Sequence, residues 1–96
     1  MERSKIYLVV TEDIEVDTGI DEKGHFAFST KEKAIVKFNS IKKDFEHYWK
    51  EESSKEYLEE VDEDYYCICD KGCYCFDHSL VYITVINIDE ECDTNA

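Results

Sequence analysis

Glycine and long apolar runs are both scarce in this chain, and each scarcity argues against a class of function. Only Gly19, Gly24 and Gly72 are present, which is too few and too widely spaced for a glycine-rich phosphate-binding loop. No apolar run approaches the ~20 residues that a membrane-spanning helix needs. The charged residues 1–5 lead directly into a strand-like segment, so we expect a soluble intracellular protein without a secretory signal.

Basic residues are also scarce, with 11 lysines and arginines against 24 aspartates and glutamates and a net charge of −13. A surface of this sign repels nucleic acids and membranes. It attracts strongly basic proteins, mainly by raising the rate of encounter and the specificity. The same charge also fits a surface that serves solubility alone, so the composition leaves both interpretations open.

Acids are concentrated in residues 44–64, which we call the acidic block. Its ten acidic residues and two lysines give a net charge of −8. The block has neither proline nor glycine and contains four aromatic residues, unlike a disordered acidic tail. We therefore expect a folded acidic surface. The residues that we assign to partner binding are Glu51, Glu52, Glu56, Tyr57, Glu59, Glu60, Asp62, Glu63 and Asp64.

Cysteine is concentrated in a short stretch, since four of the five thiols lie in residues 67–75. The Asp-Lys-Gly tripeptide at the centre of this stretch predicts a tight turn between two short strands. Cys69 would then face Cys73, and Cys67 would face Cys75. Directly opposed residues share a sheet face, so all four thiols would project to one side and the neighbouring apolar side chains to the other.

Four thiols on one face of a hairpin match a structural zinc site, in which four thiolates hold the metal tetrahedrally. We predict one zinc ion per chain, bound by Cys67, Cys69, Cys73 and Cys75. Reduced cysteines used as small core residues and cross-strand disulfides are the alternatives. Cys92 or His78 are candidates to replace one thiol. His78 would lie on the opposite face unless its strand contains a bulge.

The remaining pattern predicts an α+β fold in a single domain, residues 1–96. Residues 6–10, extendable to 16, and residues 25–28 predict two strands, with a turn at residues 21–24 between them. Residues 80–88 are apolar on both faces and predict a central strand. The acidic residues 89–96 predict a frayed tail.

One long helix is predicted to pack on one face of this mainly antiparallel sheet. Ser29 and Glu32 form a capping-box pattern at its start. The apolar residues that follow at intervals of three and four predict a core-facing stripe: Ala34, Ile35, Phe38, Ile41, Phe45 and Tyr48 or Trp49. Residues 55–60 predict a short second helix.

We find no residues in this sequence to which a catalytic role can be assigned. No serine or cysteine has a neighbouring motif that would activate it, and a zinc ion held by four thiolates has no open position for a substrate. The C-x-C spacing also differs from the C-x-x-C of thioredoxin-like redox sites. We therefore expect a non-enzymatic protein.

A single small acidic domain with a compact cluster at Cys67, Cys69, Cys73 and Cys75 resembles the anti-CRISPR proteins that phages encode. Inhibitors of type II-A systems in that class include zinc-containing members. The resemblance implies a protein of the bacterial host cytoplasm that binds a basic surface of the RNA-guided type II Cas nuclease and blocks target DNA loading, with structural zinc. A monomer is favoured, and exposed aromatics such as Tyr57 or Tyr65 would serve as anchors.

Two other functions fit the same sequence. An immunity-type or regulatory protein would use the acidic surface to bind a different basic protein. A small redox or metal-binding protein would release metal reversibly or turn over thiols without a protein partner.

Metal analysis of the purified protein tests the zinc assignment. We predict one tightly held zinc ion per chain, lost together with folding stability in each of the variants Cys67→Ser, Cys69→Ser, Cys73→Ser and Cys75→Ser, because metal binding contributes directly to folding. Cys92→Ser is the matched control and should keep its metal. A wild-type protein without metal, or four variants that all retain it, would contradict the assignment.

Overall fold

The computed structural model describes residues 4–16, 19–53, 56–71 and 77–88. Within these residues the elements are β1 (Ser4–Glu15), β2 (Ile20–Phe28), α1 (Lys31–His47), a π-helical turn (Tyr48–Glu52), β3 (Tyr57–Asp62), β4 (Tyr65–Asp70) and β5 (His78–Ile88). The five strands form one antiparallel sheet in the order β2-β1-β5-β4-β3, and α1 packs on one face. The predicted α+β class is therefore confirmed.

The turn between β1 and β2 lies earlier than predicted. Gly19 has φ of 76°, a left-handed conformation that favours glycine, and its amide donates to the carbonyl of Val16 at 3.3 Å. Residues 21–24 continue β2 and pair with β1. Their charged sequence suggested a turn because β2 is an outer strand of the sheet, where charged side chains remain exposed to solvent.

The N-cap of the helix lies one residue later than predicted. The side-chain oxygen of Thr30 accepts a hydrogen bond from the amide of Lys33 at 3.3 Å, so Thr30 and not Ser29 is the N-cap. The helical conformation then continues through the π-helical turn to Glu52. This longer helix carries Trp49 over the sheet.

The core lies between α1 and one face of the sheet. The buried apolar side chains are Val9, Ala34, Phe38, Trp49, Tyr66, Ile68 and Val81, with Ile41 and Phe45 packed against them. The predicted stripe is correct at most positions, although Ile35 and Tyr48 are more than a third exposed. Alternation along β4 directs Tyr66 and Ile68 to the core and Cys67 and Cys69 to the helix-free face, as predicted.

The predicted second helix at residues 55–60 is wrong, because most of that segment belongs to β3. β3 pairs with β4 through a two-residue turn at Glu63 and Asp64. The glutamates of the segment favour a helix, but pairing with β4 overrides that local preference. All six residues of β3 are exposed.

The predicted pairing within the cysteine cluster is also wrong. β4 pairs with β5 on one side, where Cys69 lies opposite His78 and Cys67 opposite Leu80. On its other side β4 pairs with β3. Both sides of β4 are therefore occupied by strands other than a return strand at Cys73 and Cys75.

The strand predicted at residues 80–88 is confirmed as central, since β5 lies between β1 and β4. Several predictions concern residues outside the described ranges. These residues are Cys73, Tyr74, Cys75, Phe76 and 89–96, which include Cys92.

A chain of hydrogen bonds links the helix to the middle of the sheet. The indole Nε1 of Trp49 donates to Oγ of Ser79 at 3.0 Å, and that hydroxyl donates to Oδ1 of Asp13 at 2.9 Å. Trp49 and Ser79 are each 2% exposed. Burial raises the pKa of Asp13, an effect that the Ser79 hydrogen bond opposes. Ser79 therefore satisfies one buried donor and one half-buried acceptor at once.

Ser79→Ala should lower the free energy of unfolding by about 2 kcal/mol, because it leaves the buried Trp49 N–H without its acceptor and removes a donor from Asp13. Urea unfolding measures the difference. The matched control is Ser40→Ala on the exposed surface of α1, with an expected change within about 0.5 kcal/mol. Equal effects of the two substitutions would contradict a structural role for the chain.

Candidate functional site

The residues assigned to partner binding lie along one border of the sheet. Glu51 and Glu52 belong to the π-helical turn, and the others lie on or beside β3, one of the two outer strands of the sheet. We call residues 56–64 the acidic edge. This segment contains six acids and no base, in the order Glu56, Glu59, Glu60, Asp62, Glu63 and Asp64.

The strand conformation divides these side chains between the two faces of the sheet. Register with β4 aligns Glu59 with the core-facing Ile68, and Glu60 with Cys67 on the helix-free face. Side chains alternate along a strand, so Asp62 shares the face of Glu60. The acidic surface expected from the sequence is therefore two rows along an edge, joined by the turn.

Glu59 has partners within the fold. The hydroxyl of Tyr66 donates to Oε2 of Glu59 at 2.6 Å, and Nζ of Lys50 lies 2.9 Å from the same oxygen. The Tyr66 hydrogen bond and the Lys50 charge lower the pKa of Glu59 against the opposing effect of burial. Burial and the bond to Glu59 raise the pKa of Tyr66. Glu59 thus anchors β3 to the core and to the π-helical turn, and its carboxylate is not a free contact for a partner.

The other acids of the acidic edge remain exposed to solvent. Among the described residues no lysine, arginine or histidine forms an ion pair with Glu60, Asp62 or Glu63. Asp62 only accepts a local hydrogen bond from the amide of Glu63 at 2.7 Å. These carboxylates concentrate exposed negative charge on β3 and its turn.

Apolar side chains accompany this charge. Tyr57, Leu58 and Val61 are 37%, 49% and 55% exposed. Tyr57 belongs to the predicted partner-binding residues. Leu58 and Val61 do not, because the sequence pattern predicts a helix at residues 55–60 and not a strand with an exposed edge. Tyr65, the other predicted anchor, is half-buried and stacks on Tyr82 with ring centroids 6.4 Å apart. Tyr57 is therefore the better placed of the two aromatic anchors.

Two of the four predicted zinc ligands lie in the described residues. Cys67 and Cys69 are half-buried on the helix-free face of β4 and point to the same side, as a shared metal ion requires. Burial is the main cause that raises the pKa of Tyr65, and the neighbouring Cys67 raises it further. Within residues 4–16, 19–53, 56–71 and 77–88, no three His, Cys, Asp or Glu side chains lie close enough together to hold a metal ion. Because Cys73 and Cys75 lie outside these ranges, the four-thiolate site stays a prediction.

His78 lies on the face opposite to the one predicted for it. It is directly opposite Cys69, and directly opposed residues share a face, so no bulge is needed to bring it beside the thiols. Its Nε2 lies 3.1 Å from Oε2 of Glu12 on the neighbouring strand. This position makes His78 a better substitute ligand than the sequence indicated.

The Ser79 and Asp13 pair does not form a nucleophilic centre. Ser79 is almost fully buried, and its hydroxyl already accepts from Trp49 and donates to Asp13. The adjacent His78 projects to the other face of the sheet, because neighbours along a strand alternate. Beside Asp13 lies an open cleft of about 240 Å³, and Ser79 is not among the residues that line it, which include Thr11, Glu22, Lys23, Phe26, Ile41 and Phe45.

Comparisons with known proteins do not assign this chain to a family. No family model matches it, and no curated protein or solved structure matches it. Among the described residues, no helix combines the length and apolar character needed to cross a membrane. The functional proposal therefore depends on the charge and geometry of the acidic edge.

Glu59→Gln should lower the free energy of unfolding at pH 7 by about 1–2 kcal/mol, because it removes the charge that Tyr66 and Lys50 contact. The pKa of Glu59 is lower in the folded state, so this stability is present above the ordinary glutamate pKa and is lost as the pH falls through the folded value. The difference between wild type and variant should therefore shrink as the pH falls below the ordinary glutamate pKa. Urea unfolding at pH 7 and in acid below that pKa measures it.

Glu60→Gln is the control for this experiment, since it removes the same charge from the adjacent residue on the other face of β3. We expect it to change stability by less than about 0.5 kcal/mol at either pH. A Glu59→Gln effect that is independent of pH would contradict an ionised anchor.

Proposed function

We propose that this chain is a non-enzymatic inhibitor that binds a basic protein surface through the acidic edge. The observation that supports binding is the concentration of six acids in nine residues along the exposed outer strand of the sheet and its turn. Exposed apolar side chains lie within the same segment. Charge gives speed and specificity of encounter, whereas desolvated aromatic and aliphatic contacts give most of the binding energy.

The proposed target is the RNA-guided type II Cas nuclease, as the resemblance in size, charge and cysteine cluster implies. This nuclease holds its guide–target heteroduplex in a positively charged channel. An acidic protein that occupies such a channel competes with target DNA for the same lysines and arginines. Inhibition then requires no chemistry, only occupancy of the DNA-binding surface.

Zinc has a structural role in this proposal. Cys67, Cys69, Cys73 and Cys75 are the proposed ligands, and two of them belong to β4, the strand on which β3 pairs. Ligation of β4 would hold the acidic edge in a fixed orientation. Four thiolates stabilise the fold and leave no open position on the metal.

A gel-shift competition tests the binding surface. Wild-type protein should prevent guide-loaded type II Cas nuclease from binding target DNA, with weaker inhibition as salt rises. The triple variant Glu60→Gln/Asp62→Asn/Glu63→Gln should require about tenfold or more protein for the same inhibition, since it removes exposed edge charge without altering Glu59.

The charge-matched control is Asp21→Asn/Glu22→Gln/Glu32→Gln, which removes the same number of exposed acids from β2 and the start of α1. It should inhibit as well as wild type. Unimpaired DNA loading at low salt with excess wild-type protein would contradict the nuclease as the target. Equal inhibition by the two triple variants would contradict the acidic edge as the surface that binds.

A further inference from the structure

The outer side of β3 has backbone groups that no described strand pairs. Among the described strands, the sheet order ends at β3, which has β4 as its neighbour. The amide of Lys71 donates to the carbonyl of Glu56 at 2.9 Å, which identifies this opposed pair as one that is joined by hydrogen bonds. In an antiparallel ladder such pairs alternate with pairs whose backbone groups point away from the partner strand.

This alternation assigns a direction to every backbone group of β3. Residues in phase with Glu56 bond to β4; they are Leu58, Glu60 and Asp62. The residues between them direct their N–H and C=O groups to the open side; they are Tyr57, Glu59 and Val61. Three donors and three acceptors on one side of the strand are therefore not paired by any described strand.

The edge has few of the usual protections against strand addition. Outer strands are commonly blocked by lysine, proline, bulges or inward-pointing charges. β3 has neither lysine nor proline, and its residues pair with β4 in an unbroken register. Its one inward-pointing charge, Glu59, is bonded to Tyr66 and Lys50. Its charges are all negative. Strand addition therefore depends on the charge of the incoming chain.

A second copy of this chain is a poor occupant. Opposed like charges destabilise a strand pair, and a segment with six acids in nine residues places acids against acids when it pairs with itself. A basic strand has the opposite effect. The other outer strand, β2, carries Asp21, Glu22 and Lys23 and has a weaker charge preference.

We infer that β3 takes up an extended basic segment of the protein partner as an additional strand of the sheet. This inference rests on the proposed binding of a basic protein through the acidic edge. Backbone hydrogen bonds to the outward residues would supply affinity, and alternate side chains of the incoming strand would supply specificity. The sheet would then grow from five strands to six.

The two faces of β3 specify the side chains of that segment. Glu60 and Asp62 share the helix-free face and favour lysine or arginine at alternate positions. Tyr57 and Val61 share the other face, where the Glu59 charge is already neutralised by Lys50, and they favour apolar residues. The expected partner sequence therefore alternates basic and apolar residues.

Amide hydrogen exchange with a synthetic probe tests the inference. The probe is a peptide of alternating lysine and valine, and the control peptide has the same charge but proline in place of valine, so that it cannot form a strand ladder. The lysine–valine peptide should slow exchange of the Tyr57, Glu59 and Val61 amides by about tenfold or more at saturation. The β2 amides should not change.

Val61→Pro provides a second test, because it removes an outward amide and leaves the charge and the bonds to β4 in place. The matched control is Val61→Ala, which removes the same exposed side chain but keeps the amide. Val61→Pro should weaken binding of the lysine–valine peptide about tenfold relative to Val61→Ala. Circular dichroism checks that both variants fold, and the exchange experiment on wild type does not depend on either variant.

The outcomes separate this inference from the proposed function. Equal binding of both peptides without protection of the three amides overturns strand addition but leaves attraction to a basic partner intact. Failure of both peptides to bind at low salt overturns strand addition and attraction of basic chains together. Protection that rises with protein concentration alone, without peptide, assigns the edge to a second copy and overturns the basic occupant.

Discussion

Pairing of β5 with both β1 and β4 is the constraint on which the other features of the structure depend. β5 is apolar on both faces and long enough to form a ladder with each neighbour. This position commits β4 to the register that places Cys69 opposite His78. β3 can then pair only with the remaining side of β4, so the acidic segment becomes the outer strand. The position of the acidic edge is thus a consequence of where the apolar strand goes.

An acidic outer strand needs a cation or hydrogen-bond donors to stabilise any carboxylate that faces the core, and β3 has such partners at Glu59. Within the described residues, Glu59 is the one acid of the edge that bonds to both Tyr66 and Lys50. Its carboxylate is directed towards the core. Its companions on the other face remain in water, where like charges repel weakly because solvent and salt screen them. This division lets β3 stay paired with β4 while most of its charge is available for a partner. Stability and binding therefore use different acids of the same strand.

Sequence patterns correctly predict the elements that have a strong apolar periodicity. The predictions are wrong for segments whose conformation depends on exposed charge and on the neighbouring strands. The stripe from Ala34 to Trp49 and the two-faced apolar character of β5 predicted the helix and the central strand. Residues 21–24 and 55–60 were assigned wrongly, since polar residues at a sheet border resemble a turn or a helix in isolation. The predicted cysteine pairing is wrong because β3 and β5 occupy both sides of β4, and a local turn signal carries no information about these strands. The predicted partner-binding residues follow from local charge and one aromatic anchor, Tyr57, whereas their arrangement along an edge follows from the sheet order.

Hydrogen exchange of the free protein tests the edge most directly. We predict alternating protection along β3. The amides of Leu58, Glu60 and Asp62, which bond to β4, should exchange slowly, and those of Tyr57, Glu59 and Val61, which point outwards, should exchange fast. Residue-resolved exchange by nuclear magnetic resonance at low protein concentration measures all six. Uniformly slow exchange across the strand would mean that its outer side is already paired, and it would contradict an edge that is open to a partner.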